Sequence, residues 1–338
     1  MKGVSVIICC YNSGNKLVPT LSNLAKQQSL SGINYEIIIV DNNCTDDTIG
    51  IASETWLSLG EPFPVSIVRQ PIPGLNYARD MGMQTASYEY IILCDDDNWL
   101  SDNYLIKVYH LFESMPTVAL IGGVGEAVLE AHAPAWFTEL EGFGYAVGTE
   151  GRKTGYVDSV YGAGMALRRS VFSAIINNDF SFLLSDRTGK DLSSGGDTEI
   201  SMLVKIAGYT IYLDSSLTFK HYISSNRLQW SYYLKLRRSF GRAAAYLQLY
   251  NAALLSAKPM QRRNSFNQYL SFIKFSVWNV KYILFPLCYK NTRCADFVQQ
   301  MNMRLTCLLE NKKMEMLAGR IVKTLNGRRA LQDADAAY

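Results

Sequence analysis

Three adjacent carboxylates, Asp95, Asp96 and Asp97, directly follow the apolar segment 90–94. An Asp-x-Asp pair at the end of a buried strand supplies the oxygen ligands that Mg²⁺ and Mn²⁺ prefer, and proteins usually share such ions with substrate phosphates. The alternative is that Asp97 or Asn98 caps the helix that follows. Taken alone, the three acids are compatible both with a metal site and with a helix cap.

The elements around these acids predict a parallel sheet. Short β-branched runs alternate with segments of helical length along the first 100 residues. The runs, which we interpret as strands, are Val4–Cys9, Glu36–Val40, Val65–Arg69 and Tyr90–Leu93, and the helical segments are Lys16–Gln27, Thr45–Leu59 and Asn76–Ala86. Because the strands are apolar almost throughout, the sheet should be covered by helices on both faces.

Polar residues follow three of these strands at their carboxyl ends. Tyr-Asn-Ser at 11–13 follows the first strand, Asp-Asn-Asn at 41–43 the second, and the acids at 95–97 the fourth. Parallel sheets bind ligands at the carboxyl ends of their strands. We therefore expect these side chains to gather at one edge of the sheet, which is the first indication that the acids are functional.

The remainder of the chain predicts fewer strands and more helix. The elements are strands at Leu120–Val124, Val160–Leu167 and Thr210–Leu213, an extended segment Leu217–His221, a loop over 181–196 and a helix Thr198–Ala207. From about Arg227 the sequence becomes helical, basic and aromatic. The predicted fold class is α/β, a Rossmann-like and mostly parallel sheet flanked by helices, with a helical C-terminal extension.

The segment 269–289 is apolar over a membrane-like length, yet it contains Lys274 and Lys281. The two lysines are a heptad apart and fall on one helical face. This pattern favours an amphipathic helix at a membrane surface, with contact through 265–290, over a membrane span. The alternative is a helix that packs on its own domain or on a second subunit.

Composition excludes several classes of protein. The 338 residues are 48% hydrophobic and 19% charged, which argues against disorder, and the net charge of +3 says little about partners. The seven cysteines form no CxxC pair and lie partly in apolar runs, as expected for reduced thiols. The first residues are too short an apolar run for a signal peptide, so the sequence predicts a cytoplasmic protein. No P-loop motif and no Ser/His/Asp order is apparent, and we expect no nucleic-acid partner.

Six motifs follow one another in order along residues 3–225, namely VSVIICCYN, EIIIVDNNCTDDT, GLNYARDMG, LCDDDNWL, GAGMALRRSVF and SSGGDTEIS. Together they resemble the family-2 glycosyltransferases of GT-A fold. Two positions depart from the family pattern, because Asp80 replaces the usual Asn and Gly196 replaces a Glu. The resemblance implies a nucleotide-sugar-binding half at about 1–125 and an acceptor half at 126–225, followed by the C-terminal region 226–338.

For the donor, the resemblance implies that Tyr11 stacks on the nucleotide base and that Asp41 accepts a base N–H. Arg79 occupies the position that the family fills with an Arg near the nucleotide. Each residue also has a purely structural interpretation. Tyr11 could pack against the protein, Asp41 could be a turn residue at the end of a strand, and Arg79 could form an ion pair on a helix surface.

The resemblance also gives the acids separate roles. Asp95 would contact the ribose or a metal, and Asp97 would bind Mn²⁺ or Mg²⁺ bridging the diphosphate. Asp96, the middle position, would lie near the nucleotide-sugar and be more exposed. His221 follows the last extended segment, where family members often carry a His near the metal, although a lone His is often structural.

Asp197 matches the family's general base, which would deprotonate an acceptor hydroxyl. It could instead cap the helix that follows, or do both. Glu199 is a candidate substitute for the acid that Gly196 replaces. In the preceding loop, Arg187 and Lys190 either close over the diphosphate or are incidental solvated charges.

On the acceptor side, Trp136, Phe137 and Tyr161 would stack on a sugar ring, although such aromatic residues commonly belong to the core.

The implied activity is metal-dependent, inverting transfer of a sugar from a nucleotide-diphosphate donor, with a UDP-sugar expected. The acceptor would be a hydroxyl of a glycan or of a lipid-linked molecule in surface polysaccharide synthesis. Two rivals remain, a catalytically degenerate scaffold of a polysaccharide-assembly complex and a sugar nucleotidyltransferase. Oligomerisation and contact with the inner face of the membrane stay open.

Overall fold

The computed structural model describes residues 3–28, 32–147, 153–176, 182–184, 192, 194–256, 265–319 and 321. Within these residues, nine strands form one mixed sheet. The strands are β1 (Gly3–Cys10), β2 (Asn34–Asp41), β3 (Val65–Arg69), β4 (Tyr90–Asp95), β5 (Asn98–Leu100), β6 (Val118–Leu129), β7 (Gly155–Tyr156), β8 (Ala166–Arg168) and β9 (Thr210–Ile223). Their order across the sheet is β3-β2-β1-β4-β8-β6-β9-β5, and β7 pairs with β9.

Helices cover this sheet and continue beyond it. They are α1 (Leu17–Ala25), α2 (Thr48–Ser58), α3 (Leu75–Thr85), α4 (Tyr104–Ser114), α5 (Ala135–Glu139), α6 (Arg169–Ile176), α7 (Gly196–Ile206), α8 (Trp230–Ser256), α9 (Ser265–Trp278), α10 (Val280–Leu284) and α11 (Thr292–Leu309). Residues 311–319 are also helical. Single 3₁₀ turns precede α1 and α8.

In the parallel part of the sheet, β3-β2-β1-β4, the strands β2, β1 and β4 are buried on both faces, whereas the edge strand β3 is partly exposed. Successive side chains of β1 enter two different cores, so that Val6 and Ile8 pack on one face while Ile7 packs on the other. This period of two, in strands with almost no polar residue, requires helices on both faces. The structure confirms the predicted α/β class, with a mostly parallel sheet in its first half and a helical C-terminal region.

Two predicted elements differ from those observed. Only the end of the predicted strand Val160–Leu167 is a strand, β8, because the backbone before it turns at Gly164, where φ is +68°. The hydroxyl of Tyr104 donates to the carbonyl of Gly164 at 2.7 Å. Conversely, the strand and the extended segment predicted separately between 210 and 221 form one continuous strand, β9.

The C-terminal helices differ in how they pack. Ala243, Tyr246 and Tyr250 of α8 belong to the same hydrophobic cluster as Ile7 of β1. This core therefore extends across residue 225, while the division of the chain into domains there stays a prediction from sequence.

The single helix predicted over 269–289 is instead two helices, α9 and α10, which meet at Asn279. The Asn279 side chain donates to the carbonyl of Phe275 at 2.8 Å, and the Asn279 backbone leaves the helical region, which interrupts the helix. Among the described residues, none of the helices combines the length and the apolar character that a membrane crossing requires.

Candidate active site

The carboxyl ends of β1, β2 and β4 lie side by side. Cys10 is paired with Asp41 across β1 and β2, and Cys9 is paired with Asp95 across β1 and β4. A cavity of about 580 Å³ opens at this edge, lined partly by the three acids, Tyr11, Arg79 and Asp197. The structure thus brings together most of the residues that the sequence analysis selected.

The loops at this edge are held by side chains that bond to backbone. Asn12 has a positive φ of 53°, and its Oδ1 accepts the backbone N–H of Thr45 at 2.7 Å. Asn42 is buried, accepts the N–H of Gly74 at 2.8 Å and donates to the carbonyl of Ile72 at 2.8 Å. These bonds satisfy backbone groups that no sheet partner reaches, and they fix the shape of the cavity rim.

Asp41 lies behind this rim. Its Oδ1 accepts the backbone N–H of Cys44 at 2.8 Å, and Asn42 rather than Asp41 lines the cavity. Tyr11, in contrast, lines the cavity and is 44% exposed, as a stacking surface for a base requires. The structure thus offers Tyr11 for direct contact with a ligand and gives Asp41 a turn contact.

Asp96 is held against the segment before α1. The hydroxyl of Ser13 donates to its carboxylate, and the hydroxyl of Thr20 donates to its backbone carbonyl at 2.9 Å. Burial and, after it, the charge of Asp97 raise the pKa of Asp96 to about 6, although Lys16 and Ser13 favour the ionised form. All three acids are half-buried, so the expectation that Asp96 is the more exposed one stays a prediction.

Asp97 is the centre of a compact polar cluster. Nη1 of Arg227 lies 2.9 Å from its Oδ2, and Nε2 of His221 lies 3.4 Å from its Oδ1. Nδ1 of His221 is 2.5 Å from the carbonyl of Tyr145, which can only accept, so Nδ1 carries a proton. In the neutral ring, Nε2 then accepts from Nη1 of Arg227 at 3.2 Å. In this cluster the guanidinium of Arg227 contacts both the carboxylate of Asp97 and the imidazole of His221.

Asp197 lies in the first turn of α7 and faces the same cavity. Its Oδ2 accepts the N–H of Gly162 at 3.2 Å, and its Oδ1 accepts the N–H of Thr198 at 2.7 Å. The N-cap of α7 is Gly195, with φ of +104°, so Asp197 is not the cap residue of this helix.

A Cβ at Gly162 would lie 3.2 Å from Nη2 of Arg79 and 3.4 Å from Cβ of Asp197. The glycine therefore leaves space between the guanidinium and the carboxylate. Arg79 itself is buried, with 6% of its surface exposed, and it lines the cavity. This placement is incompatible with the alternative that Arg79 is a surface ion-pair partner.

Glu199 turns away from the cavity into the core. It is fully buried, and its carboxylate accepts the N–H groups of Leu183 and Leu184 at 2.6 and 3.1 Å and the hydroxyl of Tyr250 at 2.5 Å. Burial and the charge of Glu199 raise the pKa of Tyr250, which keeps that hydroxyl a donor. Glu199 therefore ties α7 to α8 and does not replace the acid that Gly196 displaces.

Replacing Glu199 by Ala should lower the free energy of unfolding by about 3 kcal/mol, because three buried donors lose their acceptor. Tyr250→Phe, which removes one donor, should cost about 1 kcal/mol. Urea denaturation followed by circular dichroism measures both. A Glu199→Ala protein with unchanged stability and no activity would mean that the acid acts in the cavity after all.

The other predicted residues have different outcomes. Tyr161 lines the cavity, as expected for an acceptor contact. Trp136 does not, since it is 5% exposed and stacks on Tyr233 with ring centroids 4.9 Å apart. The expectation that Trp136 contacts the acceptor was wrong, because the ring belongs to an aromatic core. Arg187 and Lys190 lie outside the described residues.

Sequence reasoning missed Arg227 and Tyr145. Both line the cavity, and the hydroxyl of Tyr145 donates to the carbonyl of Arg227 at 2.6 Å, which holds the arginine loop. Nε of Arg227 is buried and has no hydrogen-bond partner among the described residues. The only signal in the sequence was the position of Arg227 six residues after His221, at the boundary to the C-terminal helices.

The fit of a divalent ion depends on Asp95, Asp97 and His221. Within the described ranges, no three His, Cys, Asp or Glu side chains form a ready-made metal cluster. Mg²⁺ and Mn²⁺, however, commonly take one or two carboxylates and complete their coordination with phosphates and water. The chemistry of the donor set therefore fits a divalent ion that completes its coordination with oxygen ligands from a substrate or from water.

The chain is similar in sequence to known glycosyltransferases. A family model described as "Glycosyl transferase family 2" matches residues 5–176. The chain is 24% identical to "Poly(ribitol-phosphate) beta-N-acetylglucosaminyltransferase TarP" of Staphylococcus aureus, over 71% of this chain and 68% of TarP. It is 23% identical to "Succinoglycan biosynthesis protein ExoM" of Rhizobium meliloti, over 75% of this chain and 81% of ExoM. The crystal structure of S. aureus TarS 1-349 aligns with a TM-score of 0.49 at 14% identity, covering 93% of this chain and 92% of that one.

Proposed function

This chain belongs to glycosyl transferase family 2 and is a glycosyltransferase, and we propose that its cavity binds a nucleoside-diphosphate sugar and transfers the sugar to a hydroxyl group. The observation that carries the proposal is one cavity lined both by the Asp97–Arg227–His221 cluster and by Asp197. The cluster suits a diphosphate, and the separate carboxylate suits the activation of an acceptor.

The donor side uses residues at the ends of β1 and β4 and one residue of α3. Tyr11 offers an exposed ring to the base, and the buried guanidinium of Arg79 adds positive charge to the cavity. We take the donor to be a UDP-sugar. The similarity to TarP, whose name states N-acetylglucosaminyl transfer, supports N-acetylglucosamine as the first sugar to test.

Asp97 and Asp95, with His221, would hold Mn²⁺ or Mg²⁺ at the diphosphate. Such an ion would neutralise the negative charge that develops on the departing nucleoside diphosphate. Arg227 has a separate role, because its planar fork can leave Asp97 and bind a phosphate oxygen. The buried, unpartnered Nε would find its acceptor there.

Asp197 would orient and deprotonate the acceptor hydroxyl. The N–H groups of Gly162 and Thr198 both donate to its carboxylate and hold it in one orientation. A positioned base opposite the diphosphate produces a single displacement with inversion at the anomeric carbon. For the acceptor, Tyr161 and Phe143 line the cavity and provide aromatic surface for a sugar ring. The names of TarP and ExoM, which state transfer to poly(ribitol-phosphate) and succinoglycan biosynthesis, support a role in surface polysaccharide synthesis. We take the acceptor to be a glycan or a lipid-linked glycan on the cytoplasmic side.

A panel of nucleoside-diphosphate sugars incubated with the protein, Mn²⁺ and a pool of glycan acceptors tests the proposal. Chromatography should detect UDP from one or two UDP-sugars, and EDTA should suppress its release. In a separate mixture of a nucleoside triphosphate and a sugar 1-phosphate, release of pyrophosphate would identify a sugar nucleotidyltransferase instead. Release from no donor, with or without Mn²⁺, would favour a scaffold that has lost catalysis.

Replacing Arg227 by Gln should raise the Kd for UDP about tenfold to a hundredfold, because a charge-assisted hydrogen bond to phosphate is lost. Isothermal titration calorimetry measures the change. Arg238→Gln is the matched control, since it removes the same charge from an exposed position of α8 and should leave the Kd unchanged. If Arg227→Gln binds UDP with an unchanged or lower Kd, Arg227 does not bind the phosphate and only neutralises the charge of Asp97.

A further inference from the structure

The region that follows the last acidic residue of β9 has an unusual charge. Thirteen Lys and Arg residues and no Asp or Glu lie between positions 215 and 295, although the whole chain carries 33 basic and 30 acidic residues. Some of these cations, such as Arg227, face the cavity. Others are exposed on the segment beyond it, close in sequence to a second feature that the proposed function does not use.

That feature is an exposed apolar corner where α9 meets α10. We call it the apolar corner; it consists of Val277, Trp278, Val280, Ile283, Leu284, Phe285 and Leu287, all of them exposed. Trp278 is 87% exposed and Leu284 64%. Single exposed apolar residues are ordinary, but seven within eleven positions form a patch of the kind that marks a binding surface.

The inner side of the same segment is firmly packed. Phe275 stacks on Phe297 of α11 with ring centroids 5.4 Å apart, and Tyr282 is buried against the same ring at 5.7 Å. The indole N–H of Trp230 donates to the carbonyl of Pro286 at 3.0 Å. Because Phe275 and Tyr282 pack on α11, the fold fixes the opposite side of this segment, the apolar corner, on the outside of the protein.

Cations flank the apolar corner in the sequence. Lys274, Lys281, Lys290 and Arg293 are all exposed, and residues 265–293 contain no acid. Nζ of Lys281 lies 4.9 Å from the ring centroid of Tyr282, and Lys281 lies in α10 between Val280 and Ile283 of the apolar corner. Long basic side chains beside an apolar surface can keep their charges in the headgroup layer while the surface enters the lipid.

We propose that the apolar corner and its cations bind the surface of an anionic lipid bilayer. The indole of Trp278 suits the membrane–water interface, the aliphatic side chains suit the boundary of the acyl chains, and the lysines suit the anionic headgroups. A second copy of the chain fits less well. A symmetric contact through this patch would bring its four cations close to four identical cations, with no acid in the segment to pair with them.

Cosedimentation with vesicles tests the binding without any turnover, so it is independent of the proposed transferase function. Vesicles of phosphatidylcholine with about a third phosphatidylglycerol should bind the full chain, and pure phosphatidylcholine should bind it at least about tenfold less. Salt should weaken the binding. The double variant Trp278→Ser/Leu284→Ser should lose at least about tenfold in partition coefficient.

Leu57→Ser/Tyr156→Ser is the matched control, because both side chains are about two-thirds exposed, at 67% and 66%, and lie outside the apolar corner. It should bind vesicles as the unmodified chain does. An equal Tm of the two double variants checks that both are folded. Lys274→Gln/Lys281→Gln should retain residual binding but lose the preference for the anionic lipid.

Three results would overturn the proposal. The first is vesicle binding by Trp278→Ser/Leu284→Ser that equals that of the unmodified chain. The second is equal binding to neutral and anionic vesicles. The third is absence of vesicle binding together with an oligomer, seen by sedimentation velocity, that the double variant dissociates, which would assign the apolar corner to a contact between copies.

Discussion

Asp197→Asn should reduce the rate of sugar transfer by about 10²- to 10⁴-fold, the usual contribution of a positioned general base. The amide has the shape of the carboxylate and keeps an oxygen for the N–H of Gly162 or Thr198, but it cannot take the acceptor's proton. Binding of the donor should change by no more than about twofold, because the proposed donor contacts are made by Tyr11 and the Asp97 cluster. Initial rates of UDP release and calorimetric titration of the donor measure the two quantities.

Asp158→Asn is the matched control for this substitution. It removes an acid whose side chain is 92% exposed and whose partner is Lys205, and the transfer rate should stay unchanged. If the affinity of Asp197→Asn for the donor falls as steeply as its rate, the carboxylate belongs to the donor site, and the assignment of a base to it is wrong.

Asp97→Asn should abolish the Mn²⁺-dependent part of UDP binding and lower the transfer rate by about 10²- to 10³-fold, the range that one strong electrostatic contact to the reacting charge supplies. The amide keeps a hydrogen bond to Arg227 but loses the charge that a divalent ion needs. Electron paramagnetic resonance of Mn²⁺ in the presence of UDP should show a bound ion with the unmodified chain and none with Asp97→Asn.

Asp102→Asn removes an exposed acid five residues further along and serves as the control. A bound Mn²⁺ that survives Asp97→Asn would place the ligands elsewhere. Full activity in EDTA would mean that Arg227, 2.9 Å from Asp97, supplies the positive charge at the diphosphate without a metal.

The parallel half of the sheet was predictable because its signal is local. Val65–Arg69 was predicted with the observed bounds, and β4 was predicted with the observed start at Tyr90, although it ends at Asp95 rather than at Leu93. Continuous apolar runs between amphipathic segments allow few arrangements other than a covered parallel sheet. The gathering of Tyr11 and the acids at one edge then follows from the topology.

Contacts between distant segments were not predictable. Arg227 reaches Asp97 across 130 positions, and Glu199 reaches Tyr250 across 51. Nothing near either residue in the sequence indicates its partner. The same limit applies to Trp136, because an aromatic residue in a Gly-rich segment has the same local signal whether it packs inward or lines a cavity.

Single-displacement transfer from a nucleoside-diphosphate sugar is tested most directly by the anomeric configuration of the product. Proton NMR of the reaction, with the donor found in the panel and its acceptor, reports the anomeric coupling of donor and product in one sample. One UDP should form for each glycosidic bond, and the transferred sugar should carry the configuration opposite to that of the donor. Retained configuration, or transfer without UDP, would contradict Asp197 as the base and the cavity as a donor site.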